Sequence, residues 1–316
     1  GAGFIGSHMV DYLLKKNFNV IVIDNLSGGR IQNISKHKKN KNFKFKKLDI
    51  RNIKSKLKIF KNIDYVFHFA GLGDIVPSIQ NPKDYFDVNV IGTMKLIDVF
   101  KDAKLKKFVY AASSSCYGIA NTPTDENHKI DTKYPYALSK YQGEQIVLHY
   151  NKLFNIPSIS IRIFNAYGTR SRTSGNYGAV FGVMLKQKLE NKPLTIVGNG
   201  NQRRDFLYVT DVVEAFYKGA ISKYKGEIYN LGAGNPQKIK YLASLIHNKF
   251  VYLPSRPGEP LVTWANINKI KSHFKWKPKI SFKKGVQNIL KDINYWKSAP
   301  LWNKSRIKVA TKDWFK

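Results

Sequence analysis

Cysteine is nearly absent from this sequence, since Cys116 stands alone among 316 residues. A single thiol excludes an internal disulfide framework, and without spaced cysteine and histidine partners it does not form a zinc site. We therefore expect no metal centre. A chain without disulfides also fits a reducing, cytoplasmic compartment best.

Long apolar runs are missing too, because none approaches the roughly 18 residues of a membrane-spanning helix. Hydrophobic residues nevertheless make up 43% of the chain. At this length the chain can bury a large core, either as one large domain or as two domains of medium size. The sequence predicts a globular protein without a membrane segment.

Acidic residues are scarce: 21 aspartates and glutamates accompany 54 lysines and arginines, for a formal net charge of +33. Dense basic surfaces bind nucleic acids by releasing counterions from phosphates. Here the basic residues are spread over nearly the whole chain, without a zinc finger, basic zipper or RNA-binding signature. A lysine-rich background composition explains the charge better than specific nucleic-acid binding does. A salt-dependent affinity for polyanions stays open.

One stretch, residues 107–140, carries the main chemical signal. Its first part reads as a buried strand that ends in the hydroxyl cluster Ser113-Ser114-Ser115. A helix opens further on, where Tyr136 and Lys140 are four residues apart and share one helical face. A phenol that works as a base at neutral pH needs its pKa lowered by about 3 units. A neighbouring ammonium and a cationic cofactor ring act in that direction, so Tyr136 is a candidate base.

A second Tyr-x-x-x-Lys pair, Tyr12 and Lys16, shows that the spacing alone is weak evidence. In a lysine-rich chain with 18 tyrosines, such pairs also arise by chance. No strand-end serines precede Tyr12. We therefore interpret this first pair as an exposed helical pair without a role.

The chain opens with the G-x-G-x-x-G turn Gly1-Ala2-Gly3-Phe4-Ile5-Gly6 at the start of a helix. Such glycines let the backbone approach a phosphate, and the helix N-terminus faces the anion. A buried strand is expected upstream of Gly1. The next strand ends in Asp24, where a carboxylate can accept from an adenosine ribose and so favours NAD over NADP. Arg30 lies a few residues further on, so NADP remains an alternative cofactor.

Strands alternate with helices through the first half of the chain, with strands predicted at 19–24, 43–48, 64–69, 107–112 and 158–164. This pattern predicts an α/β fold with a doubly wound parallel sheet, whose ligands sit at the carboxyl ends of strands. His68, inside an apolar strand, is interpreted as a core histidine. Periodicity and composition then change, so we place a first domain at 1–165 and a smaller, mixed α/β domain at 166–316. Segments around 204–230 are expected to return to the first domain.

Together these motifs resemble the extended short-chain dehydrogenase/reductase family, and within it the nucleotide-sugar 4-epimerases acting on UDP-glucose and UDP-N-acetylglucosamine. The resemblance implies a Rossmann-type NAD-binding domain, a nucleotide-sugar-binding domain and a homodimer formed through helices near 82–101 and 134–154. It rests, in family order, on Gly3-Phe4-Ile5-Gly6-Ser7-His8, Asp24-Asn25-Leu26, His68-Phe69-Ala70-Gly71, Ser113-Ser114-Ser115, Tyr136-Ala137-Leu138-Ser139-Lys140, Arg204-Asp205-Phe206 and Arg256-Pro257-Gly258-Glu259.

The resemblance also implies roles for individual residues. Its catalytic residues are Ser113, Tyr136 and Lys140. Its NAD contacts are Gly3, Phe4, Ile5, Gly6, Asp24, Asn25, Asp49, Ile50, Phe69, Ala70, Gly71 and Lys140. Its contacts to the UDP-sugar substrate are Ser78, Ser114, Ser115, Asn165, Ala179, Val180, Arg204, Arg256, Glu259 and Thr263. Two arginines facing a diphosphate make physical sense, because guanidinium groups bind phosphate oxygens well.

Two positions favour one reaction within the family. The 4,6-dehydratases carry two acids after the catalytic hydroxyl, whereas Ser114 and Ser115 offer no acid–base pair for water elimination. The residue before Trp264 is bulky in members restricted to glucose and galactose, and Thr263 leaves room for a 2-acetamido group. We therefore predict NAD-dependent C4 epimerisation of a UDP-sugar. UDP-glucuronate 4-epimerase, 4,6-dehydratase, 4-keto-sugar reductase and non-enzymatic polyanion-binding roles stay open, as does the role of Asp74.

Overall fold

A computed structural model of the chain describes residues 1–54, 57–171, 180–255, 259–310 and 312. The strands are β1 (Val20–Asp24), β2 (Phe43–Lys47), β3 (Tyr65–His68), β4 (Lys107–Ser113), β5 (Ser158–Ile163), β6 (Asn165–Tyr167), β7 (Leu194–Val197), β8 (Arg203–Arg204), β9 (Phe206–Tyr208), β10 (Glu227–Leu231), β11 (Gln237–Lys238) and β12 (Phe250–Leu253). The α-helices are α1 (Phe4–Lys15), α2 (Ile75–Gln80), α3 (Pro82–Phe86), α4 (Thr93–Asp98), α5 (Pro135–Phe154), α6 (Val180–Leu189), α7 (Val209–Ile221), α8 (Ile239–Ile246), α9 (Asn268–Phe274), α10 (Phe282–Lys291) and α11 (Lys304–Ala310).

A parallel sheet in the order β10-β5-β4-β3 forms the centre of the fold. Strands β1 and β2 form a parallel pair of their own. Every residue of β4 is buried, which explains why this strand reads as a nearly continuous apolar run. The α/β fold with a parallel sheet agrees with the prediction, and β10 adds residues from the predicted return segment to it.

Side chains of β4 alternate between two hydrophobic clusters, as the two-residue period of a strand requires. Val109 and Ala111 pack in one cluster with α1, α7 and α9. Phe108 and Tyr110 pack in the other with α4 and α5. Helices therefore cover both faces of the sheet, and the carboxyl end of β4 is the place where this buried strand emerges.

A further hydrophobic cluster lies almost wholly beyond residue 166 and includes Met184, Ile196 and Trp296. It joins α6, α8 and α10 to the parallel pair β7 and β12. The division of the chain at residues 165 and 166 stays a prediction. Part of the tail is helical: α11 buries Ile307.

The structure differs from the predicted elements in two ways. The helix predicted near 82–101 is interrupted by a π-helical segment, Asp87–Gly92, where the Thr93 hydroxyl donates to the Asn89 carbonyl at 2.7 Å. The strands β6, β8, β9, β11 and β12 were not predicted, because they are only two to four residues long and pair with distant partners. None of the described helices combines the length and apolar character needed to span a lipid bilayer.

Candidate active site

The end of β4 and the start of α5 meet at a pair of hydroxyl groups. Tyr136 Oη donates to Ser113 Oγ at 3.1 Å, and the Ser115 backbone N–H donates to the same oxygen at 3.2 Å. Pro135 begins α5, which is the first-turn position where proline fits a helix. Local sequence thus fixes where the helix starts, and packing on the sheet places its first turn over the strand end.

Lys140 lies one turn further along α5 and is 8% exposed. Its Nζ lies over the Tyr110 ring, 4.3 Å from the ring centroid. Burial lowers the pKa of Lys140 to about 7, while the charge of Glu144 acts to raise it. Within the described residues no hydrogen bond joins Lys140 to Tyr136. The Lys140 ammonium and the Tyr136 phenol therefore share a helical face, as predicted, but they are not hydrogen-bonded to each other.

The surroundings of Tyr136 do not favour its ionised form in the protein alone. Burial raises the pKa of Tyr136, the hydrogen bond with Ser113 acts to lower it, and the negative charge of Asp74 raises it further. A cation bound beside the phenol would oppose the raising effects. The side chains position the candidate base, and a bound cationic group would be needed to make it effective at neutral pH.

The glycine turn forms a cradle at the N-terminus of α1. A Cβ placed on Gly3 would meet no atom within 4 Å, so this residue faces open space. A Cβ on Gly6 would lie 2.9 Å from Gly1 Cα, so the helix cannot approach the chain start with a larger residue there. The first backbone N–H groups of a helix have no intrahelical partner and attract anions. Phe4 and Ile5 supply such groups, and the turn fits a pyrophosphate.

Acidic residues follow β1 and β2, which lie side by side. Asp24 accepts from the backbone N–H groups of Ala2 and Leu26, both at 2.8 Å. Asn25 Nδ2 donates to Asp49 Oδ2 at 2.8 Å. The structure therefore brings together three of the polar residues expected to contact NAD.

Asp49 is engaged by Arg51 as well, through contacts of 2.8 and 3.0 Å, and hydrogen bonds from Arg51 hold the pKa of Asp49 well below its usual range. Ile50 is buried at 7% exposure, facing Gly92. The Arg30 guanidinium lies over the Tyr295 ring at 5.3 Å. Arg30 was the residue that left NADP as an alternative cofactor. In the structure it packs against an aromatic ring.

Asn89 joins the turn after β3 to α5, and no role was predicted for this residue. Asn89 Oδ1 accepts from the Leu72 N–H at 2.8 Å, and Asn89 Nδ2 donates to the Leu72 carbonyl and to Ser139 Oγ, both at 3.0 Å. A Cβ on Gly71 would lie 2.9 Å from Asn89 Oδ1 and 3.5 Å from Lys140 Nζ. An asparagine within an apolar helix was the available signal for this positioning role.

Phe69 and Ala70 are the other two predicted NAD contacts in this turn. Phe69 packs against Phe216, with ring centroids 4.8 Å apart. Ala70 is half-buried beside it. His68 is buried and contacts Thr93 Oγ1 at 2.9 Å, and burial lowers its pKa to about 3. The interpretation of His68 as a core histidine is confirmed.

The predicted substrate residues of the second half form two pairs. Thr263 Oγ1 donates to Asn165 Oδ1 at 2.8 Å. Arg204 Nη2 donates to Glu259 Oε1 at 2.6 Å, and Arg204 Nη1 donates to the Pro260 carbonyl at 2.8 Å. Arg204 and Glu259 were both expected to contact the UDP-sugar, and in this structure they form an ion pair with each other.

The remaining predicted substrate residues are placed as follows. Ser114 and Ser115 are half-buried in a 3-10 turn directly after Ser113. Ser78 is fully buried and donates to the Ile75 carbonyl of its own helix at 2.6 Å. Val180 is the first residue of α6. Ala179 and Arg256 lie outside the described residues.

A buried ion pair lies beneath the site and was also missed. Arg162 contacts Glu144 through Nη2–Oε1 at 2.6 Å and Nε–Oε2 at 3.0 Å, and Ser160 Oγ donates to Glu144 at 2.7 Å. Arg162 Nη1 also donates to Tyr117 Oη at 2.7 Å. Since Glu144 is one turn beyond Lys140, this pair joins the helix of the candidate base to β5. An arginine in the apolar strand 158–163 was its only sequence signal.

Residues 1–232 match the model of the NAD dependent epimerase/dehydratase family. The chain belongs to this family. The resemblance inferred from the motifs is thereby confirmed, and so is the prediction that NAD is the cofactor.

Relatives of this NAD dependent epimerase/dehydratase family protein span nearly its whole length. It is 36% identical over 299 residues to a putative UDP-glucose 4-epimerase of Methanocaldococcus jannaschii, covering 92% of this chain and 95% of that one. The structure is similar to a UDP-N-acetylglucosamine 4-epimerase from Methanobrevibacter ruminantium (TM-score 0.87, 30% identity, 93% and 95% covered). It is also similar to a UDP-glucuronic acid 4-epimerase from Bacillus cereus solved with UDP-glucuronic acid and NAD (TM-score 0.86, 32% identity, 93% and 97% covered).

Proposed function

We propose that this protein catalyses epimerisation at C4 of a UDP-sugar, through transient oxidation of the 4-hydroxyl. The observation that carries the proposal is the hydrogen bond of 3.1 Å between Tyr136 Oη and Ser113 Oγ at the end of the central strand. Lys140 is buried one turn away, and the glycine cradle at α1 fits a dinucleotide. This is the arrangement that an alcohol oxidation requires: a base, a hydrogen-bonding hydroxyl and a cofactor site.

In this mechanism Tyr136 Oη takes the proton from the sugar 4-hydroxyl and later returns it. Ser113 Oγ, hydrogen-bonded to Tyr136, holds the phenol in place and can also contact the sugar oxygen. NAD, when bound, would supply reversible hydride transfer at C4 of the sugar. Gly3, Phe4, Ile5 and Gly6 would hold its pyrophosphate, while Asp24, Asn25 and Asp49 would surround its adenosine. Lys140 and the residues Phe69, Ala70 and Gly71 would border its other end.

One further feature favours epimerisation over water elimination. Ser114 and Ser115 are hydroxyl residues at the half-buried turn after Ser113, so the turn supplies no carboxylate to protonate a leaving hydroxyl. A reductase or dehydratase is the alternative that the product analysis below separates.

For the substrate we propose UDP-glucose and UDP-N-acetylglucosamine. Thr263 is small and its hydroxyl is held by Asn165, so the position is defined without filling the space that an acetamido group would need. Arg204 and Arg256 would bind the diphosphate, with Glu259 released from Arg204 to accept from the nucleotide ribose. The similarity to a UDP-N-acetylglucosamine 4-epimerase supports this choice.

We also propose a cytoplasmic homodimer. Ile91 and Met94 are 40% and 37% exposed on the segment before and within α4, and Leu153 and Phe154 are exposed at the end of α5. Apolar side chains on two neighbouring helices suit packing against the same helices of a second copy. The proposed domains, 1–165 for NAD and 166–316 for the nucleotide sugar, would then leave each site on its own subunit.

The test is a panel of UDP-sugars incubated with the purified protein and no added reductant, with the products resolved by chromatography. We expect UDP-glucose and UDP-N-acetylglucosamine to give their C4 epimers. A 4-keto-6-deoxy product would identify a dehydratase instead. Consumption of NADH in proportion to a keto substrate would identify a reductase.

A further inference from the structure

Asp205, between β8 and β9, is a fully buried carboxylate whose hydrogen bonds all come from backbone N–H groups of the described residues. Its Oδ1 accepts from the Ala233 N–H at 2.7 Å, and the Gly234 N–H contacts both oxygens at 3.1 and 3.2 Å. Its Oδ2 accepts from the Ala265 N–H at 2.9 Å. An ionised carboxylate only accepts hydrogen bonds, so it matches this set of donors. The side chain therefore joins the turn after β10 to the segment 261–265.

The main chain beside Asp205 contacts the same segment a second time. The Thr263 N–H donates to the Arg203 carbonyl at 3.1 Å, and the Asp205 N–H donates to Thr263 Oγ1 at 3.3 Å. Thr263 Oγ1 donates in turn to Asn165 Oδ1 at 2.8 Å, while the Asn165 N–H donates to the Asp205 carbonyl at 3.3 Å. Arg204 directly precedes Asp205 in the chain. Three residues proposed to contact the UDP-sugar thus surround one buried aspartate.

A second buried aspartate, Asp211 on α7, has similar surroundings but holds a different part of the chain. It is 2% exposed, and its Oδ2 accepts from the backbone N–H groups of Lys279 and Ile280, both at 2.9 Å. Burial raises the pKa of both aspartates, and the backbone donors act to lower it. Neither Lys279 nor Ile280 was predicted to contact a ligand. The two aspartates therefore share their burial and type of partner and differ in whether a proposed substrate residue lies beside them.

We propose that Asp205 is a positioning residue for the UDP-sugar. By accepting from the Ala265 N–H, its carboxylate keeps Thr263 in register with Asn165 and with Arg204. The inference rests on the proposed function and adds to it a residue that touches neither the substrate nor NAD. Since the residues that it positions bind the nucleotide sugar and transfer no proton, loss of the carboxylate should weaken binding and leave the chemical step nearly unchanged.

The experiment compares wild type with Asp205→Asn. Asparagine keeps the shape of the side chain but replaces one accepting oxygen with an NH₂ group, which faces backbone donors. Calorimetry measures the affinity for UDP, the part common to the proposed substrates, and initial rates give kcat and KM for UDP-glucose. We expect the Kd of UDP and the KM to rise by about tenfold. The kcat should stay within about threefold of wild type, and the NAD content of the purified protein should not change.

Asp211→Asn is the matched control, because it makes the same replacement at a similarly buried carboxylate. Both variants should melt a few degrees below wild type. Only Asp205→Asn should weaken UDP binding, whereas Asp211→Asn should leave the Kd and the KM within about twofold of wild type. An unchanged Kd in Asp205→Asn would overturn the proposal. An equal loss of affinity in Asp211→Asn would overturn it as well, since general destabilisation would then explain both.

Thr263→Val tests the same connection from its other end and keeps the proposal testable where Asp205→Asn does not fold. It removes the hydroxyl that links Asn165 to the Asp205 N–H, so the KM for UDP-glucose should rise in this variant too. If Asp205 acts through this segment, the two effects on KM should not multiply in the double variant. A wild-type KM in Thr263→Val, or fully multiplicative effects, would contradict the proposal. Wild type that binds UDP without converting any UDP-sugar would contradict the proposed epimerisation alone, because the UDP affinities still test Asp205.

Discussion

The chain contains two Tyr-x-x-x-Lys pairs on helices, and their surroundings differ in every respect that matters for chemistry. Lys16 is exposed, and its Nζ lies 5.4 Å from the Tyr12 ring and 4.9 Å from the Tyr217 ring. Lys140 is buried beneath a glycine-bearing turn, and Tyr136 is hydrogen-bonded to Ser113 at the end of a buried strand. Both pairs have the same helical spacing, yet only the second faces a strand end and a candidate cofactor site.

A helical spacing places two side chains on one face of the helix, but it does not determine which elements or ligands that face contacts. Helix α1 turns Tyr12 toward α7, where it contributes to packing. Helix α5 turns Tyr136 toward the carboxyl end of the parallel sheet, where ligands of such folds bind. Three matched substitutions test this contrast.

The largest effect is expected at the tyrosines. Tyr136→Phe removes the hydroxyl of the proposed base, so kcat should fall by about 10³-fold. Tyr12→Phe removes an equivalent hydroxyl from the first pair and should leave kcat within about twofold of wild type. The comparison uses epimerisation rates of both variants measured with UDP-glucose. Circular dichroism checks that both variants fold. Wild-type-like turnover in Tyr136→Phe would remove its assigned role.

The contrast between the pairs was predictable in part from sequence. The serine cluster and Asp24 lie at the ends of strands that the apolar pattern predicted, so the position of the site followed from the fold class. Asn89 and the Glu144–Arg162 pair were not predicted, because their roles depend on which elements pack together. The mutual pairing of Arg204 and Glu259 was missed for the same reason, since 55 residues separate them.

The lysines should show an intermediate effect, with stability and activity changing in opposite directions. Burial lowers the pKa of Lys140 from 10.5 to about 7, so between these values the unfolded chain binds a proton that the folded chain lacks. Wild-type stability should therefore fall as the pH drops from about 10 to about 7. Lys140→Met should lack this decline and melt a few degrees higher at pH 7. Its kcat should nevertheless fall by roughly a hundredfold, because the polar group proposed to border the reacting end of NAD is lost.

Lys16→Met is the control for this variant. Lys16 is exposed, so its replacement should change neither the pH dependence of melting nor the turnover. Melting temperatures across pH 6 to 10 for the three proteins give the comparison. A wild-type pH dependence that persists in Lys140→Met would show that another group causes it.

The smallest effect is expected at the hydroxyl that distinguishes the second pair. Ser113→Ala removes the hydrogen bond of 3.1 Å to Tyr136 and should lower kcat/KM by about tenfold. The same hydrogen bond acts to lower the pKa of Tyr136, so its loss should move the acid limb of the pH profile to higher pH. Ser244→Ala, which removes an exposed hydroxyl on α8, should change neither quantity. An unmoved acid limb in Ser113→Ala would assign the role of titrating base to a group other than Tyr136.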